Sequence, residues 1–66
     1  MKIKIDTESD ALYFRLDDDE IMESEEVQPG VILDFDENGR VIGIELLSLS
    51  TRFAPEKLRL MQFETV

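Results

Sequence analysis

The sequence contains no cysteine, no histidine and no tryptophan. Without cysteine there is no disulfide framework, no thiolate zinc site and no thiol nucleophile. Without histidine the commonest metal ligand and the commonest general base are both missing. No apolar run approaches the roughly 20 residues needed to span a membrane as a helix. The start, Met1-Lys2-Ile3-Lys4, lacks the apolar segment of a signal peptide. Glycine and proline are sparse, at three and two residues, so each has a local explanation to find. These absences describe a small, soluble, cytoplasmic chain read as one domain over residues 1–66.

Charge of one sign dominates what is present. Sixteen acidic residues face seven basic ones, a formal charge of −9. Residues 1–26 carry net −7, residues 27–47 net −3, and residues 48–66 net +1. Such a balance argues against phosphate-backbone binding, which rests on clustered lysine and arginine. It suits a basic partner protein instead. A chain of this size buries only about 60% of the surface its unfolded form exposes. Small scaffolds usually gain a staple, a metal or an oligomer. With the first two disfavoured, a homodimer is expected.

Period-two patterning marks the strands. Lys2-Ile3-Lys4-Ile5-Asp6 puts Ile3 and Ile5 on one face, and the polar loop Asp6–Asp10 leads to Ala11–Leu16, with Leu12, Phe14 and Leu16 on one face. A connection this short suits an antiparallel hairpin. Ile21–Val27 is weakly periodic and charged, as an edge strand protected from stray pairing would be. Gln28-Pro29-Gly30 is turn chemistry.

The strongest local signal is Val31–Asp36, then Glu37-Asn38-Gly39-Arg40, then Val41–Leu46. Two β-branched runs around Asn-Gly predict a hairpin. A two-residue turn at Asn38-Gly39 would pair Phe35 with Ile42, Leu33 with Ile44 and Val31 with Leu46, leaving one wholly apolar face. A three-residue loop with Gly39 as a bulge would pair Phe35 with Val41 and Leu33 with Gly43, mixing the faces. The pattern favours the first register. Ser48–Thr51 is a polar exit, and Pro55 suits the first position of a helix running through Leu58 and Met61. The expected class is α+β: an antiparallel meander of four to five strands with one C-terminal helix packed on one face.

Asp6–Leu16 and Glu26–Asp36, the latter continuing through Gly39 to Gly43-Ile44-Glu45-Leu46, resemble the YuzE-like family of small bacterial and archaeal proteins, domain of unknown function 2283. The resemblance covers about residues 1–47; Ser48-Leu49-Ser50 departs from the Asp-Ala-Ser-like run usual there. It implies a small α+β fold and assigns no activity or site residue. Some relatives are encoded beside small toxin-like proteins, so it also implies an antitoxin-like association.

Four constellations invite chemistry. Asp34-x-Asp36-x-Asn38-Gly39-x₅-Glu45 fits the calcium-loop pattern of an EF-hand. Its flanks are strands rather than helices, and in a hairpin Glu45 stands about 10 Å from the turn. Asp17–Glu20, Glu23, Glu25 and Glu26 place seven acids within ten residues. The segment 17–26 is a solvated, self-repelling stretch or a surface for a basic partner. Tyr13, Arg15 and Glu45 offer an acid, an anchor and a base, but no strong nucleophile accompanies them. Phe53, Leu58, Leu60 and Met61 are core contacts of the terminal helix or an exposed anchor. From these residues no catalytic, cofactor-binding or metal-ligating set is assigned. The expected function is a non-catalytic protein-interaction module, a homodimer able to bind a basic partner, without nucleic acid, membrane or cofactor. A metal-binding protein or small stand-alone enzyme is the alternative.

Overall fold

A computed structural model describes residues 1–66. Five strands form one antiparallel sheet: β1 (Lys2–Asp6), β2 (Ala11–Arg15), β3 (Glu23–Gln28), β4 (Val31–Phe35) and β5 (Val41–Leu46). Two helical turns follow, α1 (Leu49–Arg52) and α2 (Pro55–Leu58). The strands fall where period-two patterning places them, with shifts of one or two residues at the ends of β2, β3 and β4.

The sheet order is β1-β2-β5-β4-β3, which is not a plain meander. The β1–β2 and β3–β4–β5 units are hairpin-connected, but the link from β2 to β3 crosses the end of β5 and β4. The result is a Greek-key arrangement. Backbone bonds fasten this crossover: Leu16 N donates to Ile42 O at 2.8 Å and Met22 N to Phe35 O at 2.8 Å. The Arg15 guanidinium also donates to the carbonyls of Asp17 and Asp19. Strand β2, read as extending to Leu16, thus ends where its chain turns into the crossover. Acidic residues tolerate this path because it runs along the surface.

The β4–β5 hairpin resolves the two registers in an unexpected way. Asp36 O accepts from Gly39 N at 3.1 Å and Arg40 O from Asp36 N at 3.0 Å, with Gly39 at φ +77°. This is the three-residue loop, Glu37-Asn38-Gly39, and not the two-residue turn favoured by the pattern. Phe35 accordingly pairs with Val41. Beyond it a bulge absorbs Ile42, and the register becomes Asp34 with Gly43, Leu33 with Ile44 and Val31 with Leu46. The glycine loop set the first pair, and burial of a uniform apolar face set the rest.

The single C-terminal helix is also corrected. Helix α2 starts at Pro55 as expected, but it ends at Leu58, and residues 60–66 carry no helix or strand. One helical turn fixes many dihedrals for few hydrogen bonds, so a short helix persists only where packing supports it. Exposure of Leu60 (79%) and Phe63 (77%) shows that such packing is missing here. Helix α1 forms within the segment read as a polar exit. It sits at the end of the sheet that carries the β1–β2 loop and the β3–β4 turn. Asp10 accepts there from Leu49 N through its carbonyl (3.0 Å) and from Ser50 N and Oγ through its carboxylate (3.0 and 2.7 Å). Arg52 Nη2 donates to Pro29 O at 3.0 Å. Of the two helices, α1 buries one side chain, Leu49, and α2 buries none.

Alternation and register sort the side chains into two faces. One carries Ile3 and Ile5, Leu12 and Phe14, Ile44 and Leu46, Val31 and Leu33. The other carries Lys4, Tyr13, Glu45, Ile32 and Glu26 in one row and Lys2, Arg15, Gly43, Asp34 and Ser24 in the next. Only six residues are fully buried, with Ile42 and Leu49 the large apolar ones. No helix of the chain is long and apolar enough to cross a membrane.

Candidate functional site

The polar face holds a hydrogen-bonded centre built on Asp34. Its carboxylate is buried in mid-strand β4, where Oδ2 accepts from the Tyr13 hydroxyl at 2.8 Å and Oδ1 from Ser24 Oγ at 2.6 Å. Tyr13 reaches it diagonally across β5. The space it crosses exists because residue 43 is glycine: a Cβ there would meet the tyrosine oxygen at 2.6 Å and Asp34 Oδ2 at 2.7 Å. Arg15 Nη1 lies 3.4 Å from the Tyr13 oxygen. Burial pushes the Tyr13 pKa up, the Arg15 contact opposes this, and the Asp34 carboxylate adds to the rise. At neutral pH the hydroxyl is therefore a donor rather than a nucleophile.

Of the trio Tyr13, Arg15 and Glu45, the structure brings Tyr13 and Arg15 together. Glu45 lies opposite Tyr13 in the ladder, but the hydroxyl is given to Asp34. Sequence reasoning did not find the role of Asp34 or Ser24 in this centre. The available signal was Gly43, since an isolated glycine inside a strand marks a bulge or a close approach; here it marks both. A shallow depression of about 300 Å³ opens on this face beside Tyr13, Asp34, Glu45 and Lys4.

The calcium-like spacing folds as the β4–β5 hairpin, and its carboxylates part. Asp34 belongs to the Tyr13 centre. Asp36 organises the loop: Oδ1 accepts from the backbone N–H of Asn38 and of Arg40, each at 2.9 Å, and Oδ2 from Arg40 Nε at 2.9 Å. The Arg40 N–H first, and then its guanidinium, hold the Asp36 carboxyl below the usual range; the same contact raises Arg40. The side chain of Asp36 is 2% exposed, so its oxygens are already engaged. No group of three or more Asp or Glu side chains is placed to hold a metal ion.

The acidic segment becomes the crossover and the outer strand β3, all of whose residues are exposed. Asp19, Glu20, Met22, Asp36 and Glu37 surround a cleft of about 170 Å³ at the hairpin end of the sheet. Arg40 Nη2 stands 3.4 Å from Asp19 Oδ2. Of the C-terminal apolar residues, Leu58 is half-buried, while Phe53, Leu60 and Met61 are exposed.

These elements define an α+β protein organised around one five-stranded antiparallel sheet. The chain belongs to the DUF2283 family, proteins of unknown function, whose model matches residues 2–50. That span takes in all five strands and the Asp10 clasp on α1. No curated protein and no solved structure matches the chain.

Proposed function

We propose that this chain is a non-catalytic protein-interaction module of the cytoplasm that works as a homodimer and offers its acidic edge to a basic partner protein. One observation carries the reading: the apolar face of the sheet stays part-exposed. Domains bury an apolar sheet face against a second layer. Here Ile3, Ile5, Leu12, Phe14, Val31, Leu33, Ile44 and Leu46 all remain part-exposed. Apolar patches of this extent on a soluble protein mark contacts with other molecules.

The outer strand supports the second half of the proposal. Its backbone edge is unpaired on one side, and Glu23, Glu25 and Glu26 discourage a second acidic copy from adding there. A basic extended segment meets both the open edge and the charge. Antitoxin-like neutralisation of a basic protein is the sharpest form of this reading, and it rests on the family resemblance.

Melting at several protein concentrations tests the homodimer. Mass action raises the midpoint of an associating protein as its concentration rises. A midpoint independent of concentration over a hundredfold range would contradict it.

A further inference from the structure

We infer that the apolar sheet face is covered by the same face of a second copy, related by a two-fold axis parallel to the central strand β5. This deepens the homodimer reading and rests on it. The occupant follows from area. The accessible surface is 5347 Å², about 1,000 Å² more than the roughly 4,300 Å² expected of a compact monomer of this mass, an excess shared between the sheet face and the unpacked residues 60–66. A stable interface takes about 800 Å² from each partner. The shape agrees: the radius of gyration is 12.8 Å, against about 10.8 Å for a compact chain of this length. The molecule is a slab, 37 × 32 × 19 Å. A second slab of the same outline closes it.

Charge selects the axis. The middle of the face is a row running Ile3, Phe14, Ile44, Leu33 and Glu25 from β1 to β3. The acids of this face, Glu23 and Glu25, stand on β3 at one edge, while Lys2 and Lys4 of the β1 edge belong to the other face. An axis perpendicular to the strands would lay β3 over its own copy, acid upon acid. An axis parallel to them lays β1 over the second copy's β3, so Glu23 and Glu25 of the two copies stay at opposite rims. In that arrangement Ile44 meets Ile44, and Phe14 of each copy meets Leu33 of the other. Two aligned sheets about 10 Å apart form an ordinary sandwich core.

The absence of native cysteine makes the test clean. Ile44→Cys should form an interchain disulfide on mild oxidation, seen as a dimer on a non-reducing gel. Glu45→Cys, one residue along on the opposite face, should not. The double variant Phe14→Cys/Leu33→Cys should cross-link as a dimer, and each single variant much less. Ile44→Glu should halve the mass in sedimentation, with unchanged far-ultraviolet circular dichroism marking a folded chain. A wild-type dimer in which Glu45→Cys cross-links and Ile44→Cys does not would overturn this face while leaving the homodimer standing. Strong self-linking of Phe14→Cys alone would overturn the axis. A wild-type monomer, with its own C-terminal segment closed over the face, would overturn both the face and the homodimer.

Discussion

Tyr13 donates its hydroxyl to Asp34 at 2.8 Å across a strand that lies between them, and Gly43 is the residue that lets it pass. Three strands meet in this contact. Tyr13→Phe should destabilise by about 1–3 kcal/mol, because the buried carboxylate loses one of its two hydroxyl donors. Gly43→Ala should cost a similar amount, about 1–3 kcal/mol, through overpacking. Combined, they should cost less than their sum, since Phe removes the oxygen that the new Cβ would strike. Urea unfolding of the four proteins measures this directly. Additive losses would show that the two residues do not share a space.

Asp36 gives a pH dependence of known sign. Its carboxyl is held below the ordinary aspartate range by the Arg40 and Asn38 N–H groups and the Arg40 guanidinium. A folded-state pKa below the unfolded one contributes stability above the unfolded value, and that contribution is lost as pH falls through the folded pKa. The stability difference between wild type and Asp36→Asn should therefore be constant from neutral pH to about pH 5 and shrink below about pH 4. Denaturant melts across that range check it. A difference that grows on acidification would reverse the assignment.

Gly39 adopts φ +77° with open space around the position of a Cβ, so any cost of substitution there is conformational. Gly39→Val should destabilise by about 1–3 kcal/mol, since a β-branched residue resists a left-handed backbone. Gly39→Asn should cost less, because asparagine tolerates that region. Equal melting of the Val and Asn variants would mean that the loop relaxes to another turn.

How far the fold was legible depended on where its causes lay. Strands β1, β2, β4 and β5 were readable because alternation and burial coincide: Ile3, Ile5, Leu12, Phe14, Leu33 and Ile44 share one face. The hairpin was readable from Asn38-Gly39, but its register was not. That register needed a loop glycine and a compensating bulge at Ile42, two local shifts that cancel. The sheet order was hidden because the crossover is fastened by Arg15 to carbonyl oxygens, which carry no sequence signal. Helix α1 depends on Asp10, forty residues away, where it does the work of an N-terminal cap. Local reading of Ser48–Thr51 had no access to it. The Asp34 centre was missed for the same reason: its donors come from β2 and β3, and only Gly43 hinted at the crossing.

The apolar face of the sheet is part-exposed from Ile3 to Leu46, and sedimentation equilibrium across protein and salt concentration asks whether a second copy covers it. A homodimer predicts twice the 7.7 kDa chain mass at ~100 μM, with association tightening as salt screens the repulsion between two copies of charge −9. A monomer at that concentration in moderate salt, with a melting temperature independent of dilution, would contradict it.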